Sequence, residues 1–232
     1  MILLFKVNKG GVGKSWLTFN VGHGLALFGF KVLIITSDSQ NNVLDFAASN
    51  IEHGKGLEDW VQKGEGDIIA LRKNLHYIPL QSNNFSQTFR EKLKKRILEL
   101  KNQYDYILID SVPVMQIDKE FEEISNKIII PAYMDNVSVK GIIKLIDSII
   151  DKNKILAIVP NRFNNSKSEN QCYQDLKLIL EGNKIFLSKP IPQRAFVTQL
   201  IEKHKSIWET ENKKIEEIAL IVQKLIEVII NG

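Results

Sequence analysis

Asn8-Lys9-Gly10-Gly11-Val12-Gly13-Lys14-Ser15 decides how this chain folds. The stretch closes an apolar run, Met1 to Val7, and opens a segment in which Leu17, Val21, Leu25 and Phe28 recur at helical spacing. Strand, glycine-rich loop and helix in that order form a phosphate-binding loop. Packed glycines let successive backbone N–H groups turn inward toward phosphate oxygens, and the helix that follows adds the positive end of its dipole. In such a loop Lys14 bridges the β- and γ-phosphates of ATP and the Ser15 hydroxyl holds Mg2+. A glycine-rich turn that binds nothing is the alternative, and the flanking strand and helix argue against it. The strict pattern G-x-x-x-x-G-K-[ST] is not met, because Asn8 stands where its first glycine belongs. A second lysine, Lys9, appears instead.

Outward from the loop, Lys31 to Ile35 reads as a short apolar strand, which completes a βαβ unit of a parallel sheet. Tyr104 to Asp110, Y-D-Y-I-L-I-D, is an apolar strand closed by an acid. An acid at the C-terminal end of a strand sits at the sheet edge where ligands of open α/β sheets bind, so Asp110 is a candidate Mg2+ ligand, directly or through water. An ordinary strand-ending aspartate is the plain alternative.

The form K-G-G-V-G-K-S resembles the deviant Walker A motif of the ParA/MinD family of ATPases. That resemblance implies an α/β, mainly parallel sheet with helices on both faces, the P-loop NTPase architecture. It also implies a role for Lys9, which in this family reaches across an ATP-sandwich dimer to the partner's phosphates. Thr36-Ser37-Asp38-Ser39-Gln40-Asn41-Asn42 is similar to the family's D-x-D-P-Q-x-N stretch, with Asp38 on the aspartate that orients or deprotonates the attacking water. Gln40 and Asn42 match as well, whereas Thr36 and Ser39 replace an aspartate and a proline. An aspartate that merely caps a turn or helix is the other reading. Asp110-Ser111-Val112-Pro113 resembles D-x-P-P with one proline missing, and Ile128 to Gly141 looks like the strand, proline and glycine pattern beyond it. Asn161, in Asn161-Arg162-Phe163, falls where the family has a contact to the adenine. Asparagine is also a common turn former. Lys189-Pro190-Ile191-Pro192 is similar to the family's I-P-R segment, with Gln193 in place of the arginine.

The expected site therefore has Lys9, Lys14 and Asp38 in catalysis. Lys9, Gly10, Gly11, Val12, Gly13, Lys14, Ser15, Trp16 and Asn161 bind nucleotide, and Ser15 and Asp110 bind Mg2+. Trp16 departs from the family, which carries there a hydroxyl that reaches the α-phosphate.

The chain of 232 residues suits one domain, 1–232, and a chain of this size buries roughly 70 % of its unfolded surface. Short helical pieces are expected between residues 43 and 73, a strand over 75–80, a polar turn over 82–86 and a helix over 87–103. Further strands are expected over 127–131, 155–160 and 184–187, and helices over 138–150, 171–180 and 211–230. One cysteine, Cys172, excludes a disulfide framework within the chain, and the histidines His23, His53, His76 and His204 lack metal-ligand spacing. No signal peptide or membrane span is apparent, so a cytoplasmic setting is expected, with nucleoid association by resemblance. No region that would form a helix-turn-helix domain precedes the first strand.

A net charge of +4 suits an anionic polymer. Two basic clusters are candidates for DNA contact: Arg90, Lys92, Lys94, Lys95, Arg96 and Lys101, and, in the C-terminal third, Lys203, His204, Lys205, Lys213 and Lys214. The last helix carries Ile215, Ile218, Ala219, Val222, Leu225, Ile226 and Ile229 on one stripe, but Lys224 is its sole basic residue after Ile215. Core packing explains that stripe better than membrane binding, which wants Lys and Arg on the polar face.

Together these resemblances point to a ParA-like DNA-partitioning ATPase. It would be an ATP-dependent homodimer that binds DNA without reading sequence and is stimulated by a ParB-like centromere-binding or cargo adaptor protein. A nucleotide-gated binding module with little turnover and a MinD-like membrane-positioning ATPase are the alternatives.

Overall fold

The computed structural model describes residues 1–7, 9–49, 51–52, 54–82, 85–112 and 117–232. In chain order these form β1 (Ile2–Phe5), α1 (Lys14–Leu27), β2 (Val32–Thr36), α2 (Asn42–Ala47), α3 (Leu57–Lys63), β3 (Ile69–Arg72) and β4 (Leu75–Ile78). Next come α4 (Gln87–Leu100), β5 (Tyr106–Asp110), α5 (Asp118–Ile124), β6 (Lys127–Ala132), α6 (Asn136–Ser148), β7 (Ile155–Pro160) and α7 (Lys167–Ile179). The chain ends with β8 (Phe186–Leu187), α8 (Ala195–Glu202) and α9 (Lys213–Asn231).

The strands make one sheet in the order β3-β4-β2-β5-β1-β6-β7-β8. All neighbours are parallel except β3 against β4, at one edge. The composition of the strands explains this. I-L-L-F, V-L-I-I-T and Y-I-L-I-D are continuous apolar runs buried on both faces, as strands covered by helices on each side must be. Alternate residues of β1 feed the two cores. Leu3 and Phe5 pack with α1, α2, α8 and α9, while Ile2 and Leu4 pack with α3 to α7.

Helix α1 is buried almost all round, from Lys14 to Ala26. It lies between the sheet and α9: Gly22 faces Ile34 and Leu75 of the sheet, and Gly24 faces Ile226 of α9. The stripe of α9, including Ile218, Val222, Leu225 and Ile229, is thus core, as its charge pattern predicts.

Register positions the chemistry. Asp110 pairs with Phe5 on one side and Thr36 on the other, so β1, β2 and β5 end level with one another. Ala132 pairs with Pro160, which sets Tyr133 beside Asn161 at the same sheet edge. Asn8, His53 and Pro113, named above, and residues 83–84 of the expected polar turn lie outside the described residues.

Candidate functional site

The phosphate loop leaves β1 and enters α1 through two glycines in the left-handed region, Gly11 at φ 79° and Gly13 at φ 81°. Neither conformation suits an L side chain. Two side chains from neighbouring strand ends fasten the loop. The Tyr133 hydroxyl donates to the Gly11 carbonyl at 2.6 Å, and the buried Asn161 amide Nδ2 donates to the Val12 carbonyl at 2.8 Å. Gly13 is the N-cap of α1 and brings no side-chain acceptor, so the helix N-terminus opens toward the cavity uncapped. A cavity of about 250 Å³ lies over this turn, bordered by Gly13, Lys14, Ser15, Trp16, Asp38 and Arg162, with Lys9 at its margin.

Lys14 projects from the first turn of α1 and forms a buried ion pair with Asp110 at the end of β5. A buried ammonium needs a counter-charge, and Asp110 supplies it. Ser15 is half-buried one residue further on.

Asp38 follows β2 in a turn that neighbouring polar groups hold in place. Its N–H donates to Thr36 Oγ1 at 3.0 Å, and the Thr36 hydroxyl in turn donates to the Asp110 carbonyl at 3.1 Å. One carboxylate oxygen, Oδ1, accepts the Gln40 N–H at 3.0 Å, and Oδ2 accepts Asn42 Nδ2 at 3.3 Å. Thr36, in place of the family's acid, therefore acts here as a fully buried hydroxyl bridge between the Asp38 turn and the Asp110 strand.

Lys9 stands at the rim, with its side chain about half exposed, 3.8 Å from Asp135 Oδ2. Its ammonium is also 5.5 Å from the centroid of the Tyr133 ring. Asp135 is the N-cap of α6 and accepts from the Ser138 N–H at 2.8 Å and the Ser138 hydroxyl at 2.7 Å. Its partial burial favours the neutral acid, but those hydrogen bonds and the charge of Lys9 outweigh it and hold the carboxyl below its usual value.

Two expected contacts look different in three dimensions. The Trp16 side chain, 6 % exposed, belongs to the apolar core against the sheet. The Asn161 side chain is engaged with Val12 and, through Oδ1, with the Arg162 N–H at 2.9 Å, so it supports the loop from beneath. Arg194, beside Gln193, is ion-paired with Glu217 of α9. Tyr133 and Asp135 lie against the loop and Lys9 without having been singled out, and Arg162 lines the cavity within the segment read as near the adenine. The N-cap position of Asp135, before the apolar periodicity of α6, was the one signal available for the first two.

A larger hollow of about 410 Å³ opens beside the site between α2 and the end of β4, bordered by Asn41, Leu44, Asp45 and Leu80. No phosphate-loop residue borders it, and Asn41 is already bonded to Ser39, Tyr77 and Leu80. The phosphate loop lines the smaller cavity.

Among the described residues no cluster of three or more His, Cys, Asp or Glu could hold a metal ion, and no helix is long and apolar enough to cross a membrane. Hard oxygen donors few in number, Ser15 and Asp110, suit Mg2+, which keeps several waters and shares phosphate oxygens.

Comparison with known proteins gives the family and the fold. The family described as CobQ/CobB/MinD/ParA nucleotide binding domain matches residues 4–207. The virulence plasmid ParA family protein pGP5-D of Chlamydia muridarum is 30 % identical over 208 residues, 81 % of this chain and 77 % of that protein. The chromosome-partitioning ATPase Soj of Treponema pallidum is 30 % identical over 162 residues, 63 % of this chain and 62 % of that protein. A putative plasmid partition protein of Borrelia burgdorferi B31, solved bound to AMPPNP, has the same fold, with TM-score 0.77 and 20 % identity over 99 % of this chain and 98 % of that one. MinD of Aquifex aeolicus superposes comparably, with TM-score 0.78 and 22 % identity over 97 % and 96 % of the two chains.

Proposed function

This chain belongs to the CobQ/CobB/MinD/ParA nucleotide-binding family, a family that includes ATPases, and within it we propose that the chain is a ParA-like DNA-partitioning ATPase. One observation carries the reading. A second lysine, Lys9, stands at the open rim of a loop whose own lysine is already buried against Asp110. A cation at that rim is free to serve phosphates presented by a second copy.

In this reading ATP with Mg2+ would lie between two subunits; Ser15 and Asp110 would hold the metal, which would supply charge neutralisation at the transferring phosphoryl group. Lys14 turns from Asp110 to the phosphates of its own nucleotide, while Lys9 leaves Asp135 for those of the partner. Among the described residues Asp38 carries no bonded cation, and both its oxygens are oriented by Gln40 and Asn42, so it would hold the attacking water in line with the γ-phosphate. Lysines facing the phosphoryl group offset the charge that develops on its oxygens.

Dimerisation would bring two basic surfaces together, and affinity for a polyanion rises steeply with the number of phosphates contacted. Nucleotide state would then switch non-specific DNA binding, and a ParB-like partner would release it by stimulating hydrolysis. The test is duplex DNA binding and light-scattering mass with ATP, ADP and no nucleotide, for the natural protein and Lys9→Ala. The expected result is dimers and DNA binding with ATP alone, both lost in Lys9→Ala. A Lys9→Ala variant that dimerises and hydrolyses ATP normally would overturn the sandwich mechanism.

A further inference from the structure

We infer that Arg162 is a nucleotide-binding residue whose guanidinium takes the α-phosphate, the place where Trp16 leaves no hydroxyl. This rests on the nucleotide site proposed above and deepens it. The order of strands divides the cavity. Asp38 and Asp110, the carboxylates suited to chemistry at the terminal phosphate and its Mg2+, follow β2 and β5 on one side of β1. Strands β6 and β7 lie on the other side. A nucleotide laid along the loop with its γ-phosphate at the acids therefore runs its α-phosphate and nucleoside toward the end of β7. Arg162 follows that end, borders the cavity, and brings Nε to 3.9 Å from the point where a Cβ on Gly13 would stand.

Three properties set Arg162 apart from a solvated surface arginine. Its backbone is left-handed, at φ 54°, which is costly for a bulky side chain. That conformation is held by the bond from its own N–H to Asn161 Oδ1, and Asn161 is 4 % exposed and anchored to Val12. The loop that receives phosphate thus also fixes the direction of Arg162. Second, among the described residues no carboxylate lies within ion-pair distance of its guanidinium, whereas Lys14 has Asp110 and Lys9 has Asp135. Third, its one side-chain hydrogen bond among the described residues is a long one, Nη1 to the Tyr133 hydroxyl at 3.4 Å. Most of its five N–H donors remain for a ligand.

A planar fork of donors with no counter-ion, aimed over a phosphate loop, matches the bidentate geometry that arginine offers a phosphate. At position 16 the family's hydroxyl comes from within α1, whereas Arg162 approaches from across the loop. The competing view is a prop, in which Arg162 only steadies Tyr133 on Gly11.

Calorimetric titration of ATP and ADP with Mg2+ at low and high salt, on the full chain and its variants, separates the two views. Arg162→Gln should weaken ATP and ADP alike by about 10- to 100-fold, the range for a hydrogen bond to a charged group. The loss should shrink at high salt, and Arg162→Lys should recover part of it. Unchanged affinity in Arg162→Gln overturns the inference. So does a loss confined to ATP, which would put the contact at the γ-phosphate, or a loss of the same size at low and high salt that Arg162→Lys leaves unrelieved, which would make Arg162 a prop. Lys14→Ala is the control for the site itself. If the natural protein binds neither nucleotide, or binds without need of Lys14, the nucleotide site fails; if binding needs Lys14 but ignores Arg162, only this inference fails.

Discussion

At the scale of single residues, the site is built by positions where one side chain or its absence has no substitute. Gly13 is left-handed, and a Cβ there would stand 2.5 Å from Asn161 Nδ2, an amide already committed to Val12. Gly10 has no atom within 4 Å of such a Cβ and an ordinary φ. Gly13→Ala is therefore expected to cost about 1–3 kcal/mol and Gly10→Ala less than about 0.5 kcal/mol, read from urea unfolding of the nucleotide-free chain. Equal costs would mean that the loop does not hold its described conformation. Thr36 teaches a related lesson: its departure from the family's acid looks like a lost function in one dimension, but its hydroxyl links the Asp38 and Asp110 segments. A residue type alone carries no record of which backbone groups its side chain will meet.

At the scale of elements, α1 joins the loop to the rest of the molecule through α9 and the segment before it. Asn20 of α1 accepts the Ile207 N–H at 2.8 Å on its side-chain oxygen, and its carbonyl accepts Trp208 Nε1 at 2.8 Å. Ile226 of α9 packs at Gly24 and is fully buried, while Leu220 of the same helix is 59 % exposed. Ile226→Ala should cost about 2–5 kcal/mol, with the full-length chain loosened around α1, and Leu220→Ala less than about 0.5 kcal/mol. Buried His23 adds a pH-sensitive joint, with Nδ1 2.7 Å from Ser206 Oγ and 4.0 Å from Glu209, itself paired with Arg72. Burial lowers the His23 pKa against the opposing pull of Glu209, and Arg72 lowers it further. The unfolded chain then binds the proton more readily than the native one below about pH 6.5, so stability falls as pH drops from 7 through that point toward the depressed native value. Burial lowers His76 in the same direction. His23→Gln should flatten thermal stability between pH 7 and 5 relative to the natural chain; an unchanged slope would exonerate this joint.

At the scale of the whole molecule, charge is distributed unevenly. On α4, Lys94 pairs with Glu123, Arg96 with Glu99, and Arg90 with Glu120, so part of that basic face is neutralised within the fold. Lys203, Lys205, Lys213 and Lys214 are exposed, and among the described residues no carboxylate pairs with them. If the proposed DNA binding holds, Lys203→Ala with Lys205→Ala should weaken it severalfold and flatten its salt dependence, whereas Lys94→Ala should change it less. The reverse ranking in a filter-binding titration would move the DNA surface to α4.

What the sequence by itself determined is the chain of local signals: the glycine-rich turn between strand and helix, the apolar runs of β2, β5, β6 and β7, the acid closing β5, and the stripe of α9. Each is legible because its physical cause lies within a few residues, whether glycine geometry, burial on both faces or helical period. Helix α5, whose D-K-E-F-E-E-I buries little beyond Phe121, and the four-residue β3 carry too few periodic apolar positions to announce themselves, and α8, with Phe196, Val197, Leu200 and Ile201 on one side, is only two turns long. Only the tertiary structure decided which strands are neighbours, and with them the contacts that span the sheet edge: Asn161 and Tyr133 on the loop, Thr36 on the Asp110 strand, Asp135 beside Lys9, and Arg162 over Gly13. Those partners are separated by up to 149 residues in the chain, and no local pattern encodes a pairing that exists only once parallel strands have been laid side by side.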